Sequence, residues 1–422
     1  VLMVAKVLFI HSGGGIGGAP VSMLTLAASL DRKLYEPHIV FTEDGPIVDV
    51  CNGMGMPASV IKMRGVLVYG AHVPLTLRAT ISGLVHFIPT IIAAIKLFKE
   101  ENPDFIHLNT SALLSIGIAA RLKRIPIIWH VREVVNPGTL FGSLLGSAIC
   151  ALAYRVIAVS DYVAGCLPKS KKISVIHNSV NTSTFDPIYK DEYRIAINSE
   201  LGITKKNVLI GILGSVQKEK GHFILVEAAK TINQKFPEVV FLIVGGGAPV
   251  GYENTLRGKF KALLRLPLDN LEKLYRRINE LKLSQCFKTT GYQLAVEPYV
   301  GSMDILVAPN IKPEGCPRSL LEGMAMSIPV VVSDIGPSRE IMGDKSAYFC
   351  KPGDVLSLST ILISLIESDV MRNQLGDQGR VRALSKFKIE NHIEKIQTLY
   401  DSVTVELNPV SIKKKVFSTD EK

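Results

Sequence analysis

Short apolar runs, each closed by glycine or small polar residues and followed by a helix-compatible stretch, recur along this chain in two successive series. In the first, Lys6–His11 ends in glycines and leads to a helical Val21–Leu30. Glu36–Thr42, Phe105–Leu108, Ile127–His130, Val156–Ser160 and Ile173–Ile176 follow. Strands that are apolar along their whole length are covered on both faces, and parallel neighbours need helical crossovers, so this grammar predicts a doubly covered parallel sheet. A polar stretch near Asn181–Lys206 interrupts it. The grammar then restarts with Val208–Leu213, helix His222–Asn233, Val239–Val244 and its glycine run Gly245–Gly247, then Ile305–Ala308 and Val330–Ser333 with a helix between them. The expectation is an α/β protein of two Rossmann-like domains facing a cleft, residues 1–188 and 189–405. A final helical segment near Ile389–Val403 packs back across one of them, and 406–422 forms a polar tail.

Composition agrees: 47% hydrophobic residues against 20% charged can fill two cores and excludes general disorder. The net charge of +10 favours anionic partners such as phosphates, nucleic acid or an anionic membrane. No nucleic-acid motif accompanies it. Cys51, Cys150, Cys166, Cys286, Cys316 and Cys350 are scattered without C-x-x-C spacing, so reduced thiols are expected rather than disulfides or a zinc site. Val1–Ile10 is too short an apolar run for a leader. Leu84–Phe98 and Leu140–Tyr154 fall short of the roughly 20 residues that a membrane span needs and read as buried or interfacial helices. A cytoplasmic protein is expected. Arg78, Lys96, Lys99, Arg121, Lys123 and Arg124 flank these apolar segments, which suits peripheral docking at the inner face of the plasma membrane. From Arg257 to Lys282, eight Lys/Arg stand against three Asp/Glu, a solvated helix face or a second anionic contact.

Two constellations can carry chemistry. Gly13, Gly15 and Gly18 satisfy G-x-G-x-x-G between a strand and a helix, with Glu43 and Asp44 near the place of a ribose-binding carboxylate. By itself this permits a nicotinamide-dependent oxidoreductase, or a plain tight turn. The second is Pro309-Asn310-Ile311-Lys312-Pro313-Glu314-Gly315-Cys316-Pro317-Arg318-Ser319-Leu320-Leu321-Glu322, directly after Ile305–Ala308. Pro317 suits a helix first turn and Pro329 marks its stop, so Glu314 lies in the preceding loop and Glu322 inside the helix. Gly315 lets a ligand approach the helix N-terminus, whose amides favour a diphosphate. Two carboxylates suit a polyhydroxylated ligand, since each accepts several O–H bonds.

On these residues the chain resembles the retaining family 4 glycosyltransferases (glycosyl transferases group 1), which have the GT-B fold. Glu314…Glu322 matches their E-x7-E signature, and Ile328-Pro329-Val330-Val331-Val332-Ser333-Asp334 the strand after it. Val175-Ile176-His177-Asn178-Ser179-Val180-Asn181…Phe185, Gly214…Lys220-Gly221 and Lys351-Pro352-Gly353-Asp354 are similar to further family segments in the same order. The resemblance implies a nucleotide-sugar donor held mainly by the C-terminal half and a glycan or lipid-linked acceptor on the other. No cofactor or metal is implied. Glu314 would meet donor-sugar hydroxyls and Glu322 the ribose; Lys220 would neutralise the leaving diphosphate, and His130 would orient the sugar. Gly17, Gly18, Ser215, Gly315 and Cys316 would line the donor site. Ser215 stands where the family usually has Arg, and Pro20 where an acidic residue is usual. His11, His107 and His177 remain structural candidates. A non-catalytic sugar-nucleotide-binding protein stays open if Ser215 marks a lost phosphate site.

Overall fold

The computed structural model describes residues 4–63, 81, 83–204, 206–246, 269–343 and 349–407. Arg78, Arg257 to 268 and the tail from 408 lie outside them. The chain forms two compact units: Val1–Asn178 with Glu314–Cys316 and Ile389–Lys422, and Ser179–Pro313 with Pro317–Lys388.

The first unit holds a seven-stranded sheet of β1 (Ala5–His11), β2 (Tyr35–Phe41), β3 (Ala58–Val60), β4 (Phe105–Leu108), β5 (Ile127–Val131), β6 (Arg155–Ala158) and β7 (Ile173–Val175), in the order β3-β2-β1-β4-β5-β6-β7. Every neighbouring pair is parallel. All residues of β4 and β5 are buried, as strands covered on both faces require. The Leu114–Leu122 helix packs closely enough that a Cβ on Gly117 would lie 2.6 Å from the Trp129 ring.

The Ile389–Leu407 helix completes this unit. Ile396, Leu399, Tyr400 and Val403 share a core with Val7, Phe9, Phe105, Ile128 and Ile157. Asp401 accepts a hydrogen bond from Tyr35 at 2.6 Å, and Glu406 takes bonds from Tyr154 and Arg155. The helix thus counts with residues 1–178 and not with 189–405. The crossing also begins earlier than 188: Arg380 holds the carbonyl of Phe185 at 2.8 Å and the carboxylate of Asp186 at 3.0 Å, and Val180 N–H donates to Phe387 O. These bonds tie residues 179–188 to the second unit. The polar stretch after it contains the Lys190–Leu201 helix, which is anchored by Arg194 on Asp304 and by Tyr299 on Glu200.

The second unit has six parallel strands, β8 (Leu209–Leu213), β9 (Val240–Val244), β10 (Phe287–Gly291), β11 (Ile305–Ala308), β12 (Val330–Ser333) and β13 (Phe349–Cys350), ordered β10-β9-β8-β11-β12-β13. In both units the strand order reverses beside the first strand, between β1 and β4 and between β8 and β11. Open parallel sheets bind ligands outside the carboxyl ends of strands at such a reversal. Part of the basic 257–282 segment is neutralised within this unit: on the Asn270–Glu280 helix Arg276 pairs with Glu272, and Arg277 with Glu227 and Glu280. Among the described residues no helix is long and apolar enough to cross a membrane.

Candidate functional site

At the end of β8, Gly214 turns the chain with φ +118°. A Cβ there would sit 3.1 Å from Lys220 Nζ, so the bare backbone lets that ammonium come over the strand end. Lys220 closes the single 3-10 turn Lys218–Lys220, and Gly221 follows at φ +77°. Gly221 meets the β11 exit: its missing Cβ would lie 1.9 Å from Pro309 O, and Ile311 N–H donates to Glu219 O at 2.8 Å. The loops leaving β8 and β11, which flank the strand-order reversal, are therefore locked together with Lys220 between them in sequence. Ser215 is exposed, and its hydroxyl accepts from Gln217 Nε2 at 3.1 Å.

The helix after β11 runs Arg318–Ala325, with Pro317 at its N-cap. Gly323 seats it against the sheet, since a Cβ would be 2.5 Å from Leu306. One helical turn buries Glu322, 5% exposed, with Arg318 at 3.2 Å. Burial raises the Glu322 carboxyl above the ordinary range; Arg318 opposes that rise and Glu297 adds to it. Because the folded pKa exceeds the unfolded one, the penalty is absent below about pH 4.3 and sets in as pH rises. Glu322→Gln should therefore melt no lower than wild type at pH 7. Thermal unfolding checks this, and a clear loss of melting temperature would make the carboxylate a structural group.

Glu314, Gly315 and Cys316 count with the first unit. Ser160 Oγ donates to Gly315 O and Asn178 Nδ2 to Cys316 O, both at 2.7 Å. A Cβ on Gly315 would lie 2.1 Å from Arg132 O, so glycine is required for this approach. Arg132, itself buried, donates from Nε to Asn109 Oδ1 and from Nη1 to Asn178 Oδ1, each at 2.7 Å. The same Asn178 thus holds Arg132 and the Cys316 carbonyl. His130, at the end of β5, is fully buried. Asn109 and Ser160 carry no signal in the spacing because their partners are remote in sequence, and Asn178 is visible only as a member of the family-like segment Val175–Phe185. Arg132 is visible as a charged residue directly after an apolar strand.

Gly17 caps the Gly18–Ser29 helix in extended conformation. The glycines before it serve the fold: Gly13 N–H donates to Thr42 Oγ1 at 3.0 Å, and a Cβ on Gly14 would meet Asp44 O at 2.2 Å. Gly15 has nothing within 4 Å of a built Cβ, and Gly17 has only Pro20 Cδ at 3.9 Å.

Burial, reinforced by Arg132, keeps four histidines of this unit neutral. His11 falls to about 3 and His392 to about 4, and His107 and His130 drop well below the imidazole range. The unfolded chain takes up these protons below about pH 6.5 while the folded one does not, so stability is full above that pH and declines as pH falls. His11 and His392 should each cost about 2 kcal/mol between pH 7 and pH 5. Denaturant titration at the two pH values measures this, and equal midpoints would refute it.

Residues 16–184 match the family model of Glycosyltransferase Family 4, and residues 194–382 that of Glycosyl transferases group 1. The chain is 24% identical over 329 residues to the capsular polysaccharide biosynthesis glycosyltransferase CapM of Staphylococcus aureus, which covers 74% of this chain and 80% of that relative. Phosphatidyl-myo-inositol mannosyltransferase of Mycobacterium leprae is 25% identical over 197 residues, 46% of each chain. Among solved structures, Anabaena Alr3699/HepE in complex with UDP and glucose shares the fold with a TM-score of 0.75 at 19% identity, over 94% of this chain and 100% of that one. None of these matches favours an oxidoreductase. With one family model on each half in the family's order, and both sheets wound as the GT-B fold requires, the chain belongs to the family 4 glycosyltransferases, glycosyl transferases group 1.

Proposed function

We propose that this glycosyltransferase moves a sugar, with retention of anomeric configuration, from a nucleotide-diphosphate sugar to a hydroxyl acceptor in bacterial surface glycan synthesis. The observation that carries the reading is Lys220 Nζ lying over Gly214 where the second sheet reverses its strand order. A cation there, with the backbone amides at the start of the Arg318–Ala325 helix, suits a diphosphate. Glu322 accepts from ribose hydroxyls and Glu314 from those of the donor sugar, while His130 orients that sugar. In front-face substitution the acceptor oxygen bonds to the anomeric carbon on the side from which the phosphate departs. The anomeric C–O bond breaks, its electron pair stays on the phosphate oxygen, and that oxygen takes the acceptor proton. Lys220 stabilises the charge that develops, so the step requires no metal. The exposed Ser215 adds no cation, so this work falls to Lys220, alone or with Lys218 of the same turn assisting.

The test is incubation with a panel of UDP-, GDP- and ADP-sugars and lipid-linked or glycan acceptors, with products read by mass spectrometry and the anomeric centre by NMR. Transfer with inversion would overturn the mechanism. Donor-dependent thermal stabilisation without transfer would favour a non-catalytic sugar-nucleotide-binding protein.

A lipid-linked acceptor is supported by the side chains exposed around the Phe87–Glu101 helix. Leu84, Val85, Ile88 and Ile92 are each more than half exposed, with the solvent-facing Lys96 further along the same helix. The mannosyltransferase relative, whose name specifies a phosphatidylinositol, points the same way. Apolar side chains with nearby cations suit peripheral binding to an anionic bilayer from the cytoplasmic side. Flotation with phosphatidylglycerol vesicles at low and high salt tests it, and absence from the vesicle fraction at both would refute it.

A further inference from the structure

A buried hydrogen-bonded chain connects the Ile389–Leu407 helix to His130. Tyr400 Oη lies 2.6 Å from His107 Nδ1, and His107 Nε2 lies 3.2 Å from His130 Nδ1. Arg132 Nη2 reaches the same His130 Nδ1 at 3.4 Å. All three rings are fully buried, and His130 Nε2 has no hydrogen-bond partner.

Two proton arrangements pair every ring: the protons run either from Tyr400 towards His130 Nδ1 or from His130 Nδ1 towards Tyr400. The Arg132 guanidinium selects the first, because it only donates and an N–H on His130 Nδ1 would turn its positive end towards the nearby Nη2. His107 Nε2 must then donate to that Nδ1, because two lone pairs would otherwise face each other. His107, neutral with its proton on Nε2, has a bare Nδ1, which accepts the Tyr400 hydroxyl proton. The remaining proton of the His130 ring sits on Nε2, the atom without a protein partner. A buried donor left unpaired costs the full desolvation of that group, which a ligand acceptor atom at Nε2 would recover.

From this arrangement we infer that Tyr400 is a positioning residue, which through His107 fixes His130 as an Nε2–H hydrogen-bond donor. The ligand atom that His130 meets is therefore an oxygen lone pair, such as that of a sugar hydroxyl, and His130 takes up no proton from the acceptor. The ligand half of this inference rests on the transferase reading above; the tautomer half does not.

The experiment is long-range proton–nitrogen NMR on the ligand-free full chain labelled with 15N-histidine, with His130 assigned by His130→Asn. Wild type should show His130 protonated at Nε2. Protonation at Nδ1 would overturn the inference, whatever the enzyme transfers. Tyr400→Phe keeps the ring in its contacts with Tyr35, Phe105 and His107 but removes the proton that sets the chain. It should put a measurable share of the His130 proton on Nδ1 and lower kcat about threefold to tenfold. An unchanged tautomer in Tyr400→Phe would refute the role. His107→Gln offers an amide N–H to His130 without needing Tyr400, so Tyr400→Phe should have no further effect on kcat in that background. A full additional loss there would make Tyr400 merely structural. If wild type transfers none of the donors tested, the transferase reading fails while the tautomer measurement still decides this one.

Discussion

Lys220→Ala is expected to lower kcat by about a hundredfold to a thousandfold, the usual effect of removing one group that stabilises developing negative charge. Gly214, at φ +118°, leaves room for the Lys220 ammonium over the end of β8, where a Cβ would press on it at 3.1 Å. The loss should fall on kcat more than on KM, because the diphosphate gains its extra charge only as the C–O bond breaks. The Lys218–Lys220 turn has no buried residue, so the melting temperature should hold. Lys220→Arg keeps the charge but brings a larger, planar head beside Gly214, and should recover only part of the rate. A kcat within twofold of wild type for Lys220→Ala would remove this residue from the chemistry.

Gly221→Ala should act on both fold and rate. The substitution places a methyl 1.9 Å from Pro309 O, a backbone atom that cannot swing aside, at a φ of +77°. The left-handed conformation costs roughly 1–2 kcal/mol for a residue with Cβ, and overpacking adds about 1–3 kcal/mol. For a unit of this size the sum lowers the melting temperature by roughly 5–15 °C. Relief of the clash pushes the Lys220 turn away from the β11 loop, so transfer should fall as well. Gly291→Ala isolates the conformational part: Gly291 has φ +69° with nothing within 4 Å of a built Cβ. It should lose only about 1–2 kcal/mol. Equal melting temperatures for the two variants would show that the Pro309 contact is not rigid.

The central strands of both sheets are readable because they are apolar along their length; Phe105–Leu108, Ile305–Ala308 and Val330–Ser333 lie where the sequence pattern puts them. The strands that escape are the outer β3, β10 and β13. Ala58–Val60 and Phe349–Cys350 are too short for a pattern, and Phe287–Gly291 carries one large apolar residue followed by Lys, Thr, Thr and Gly. Edge strands are covered less, so they need less apolar sequence. The Lys190–Leu201 helix hides in a polar stretch because it buries only Ile197 and Asn198. At the site, the Glu314–Glu322 spacing is legible because loop and helix are contiguous. The partners of His130 are not: His107 looks like any strand histidine, and Tyr400 lies 293 residues from it.

The last helix sets an order on how this polypeptide can mature. Ile396, Leu399, Tyr400 and Val403 are core residues of the unit that holds residues 1–178. A ribosome releases them only after those residues and the whole second unit have been made. The second unit, whose segments end at Lys388, has all of its chain available first, while the earlier-made half waits with a face of its apolar core uncovered. A nascent chain arrested before residue 389 should therefore engage chaperones through its N-terminal half. A stop codon placed directly after residue 388 would damage the first-made unit rather than the one encoded beside it.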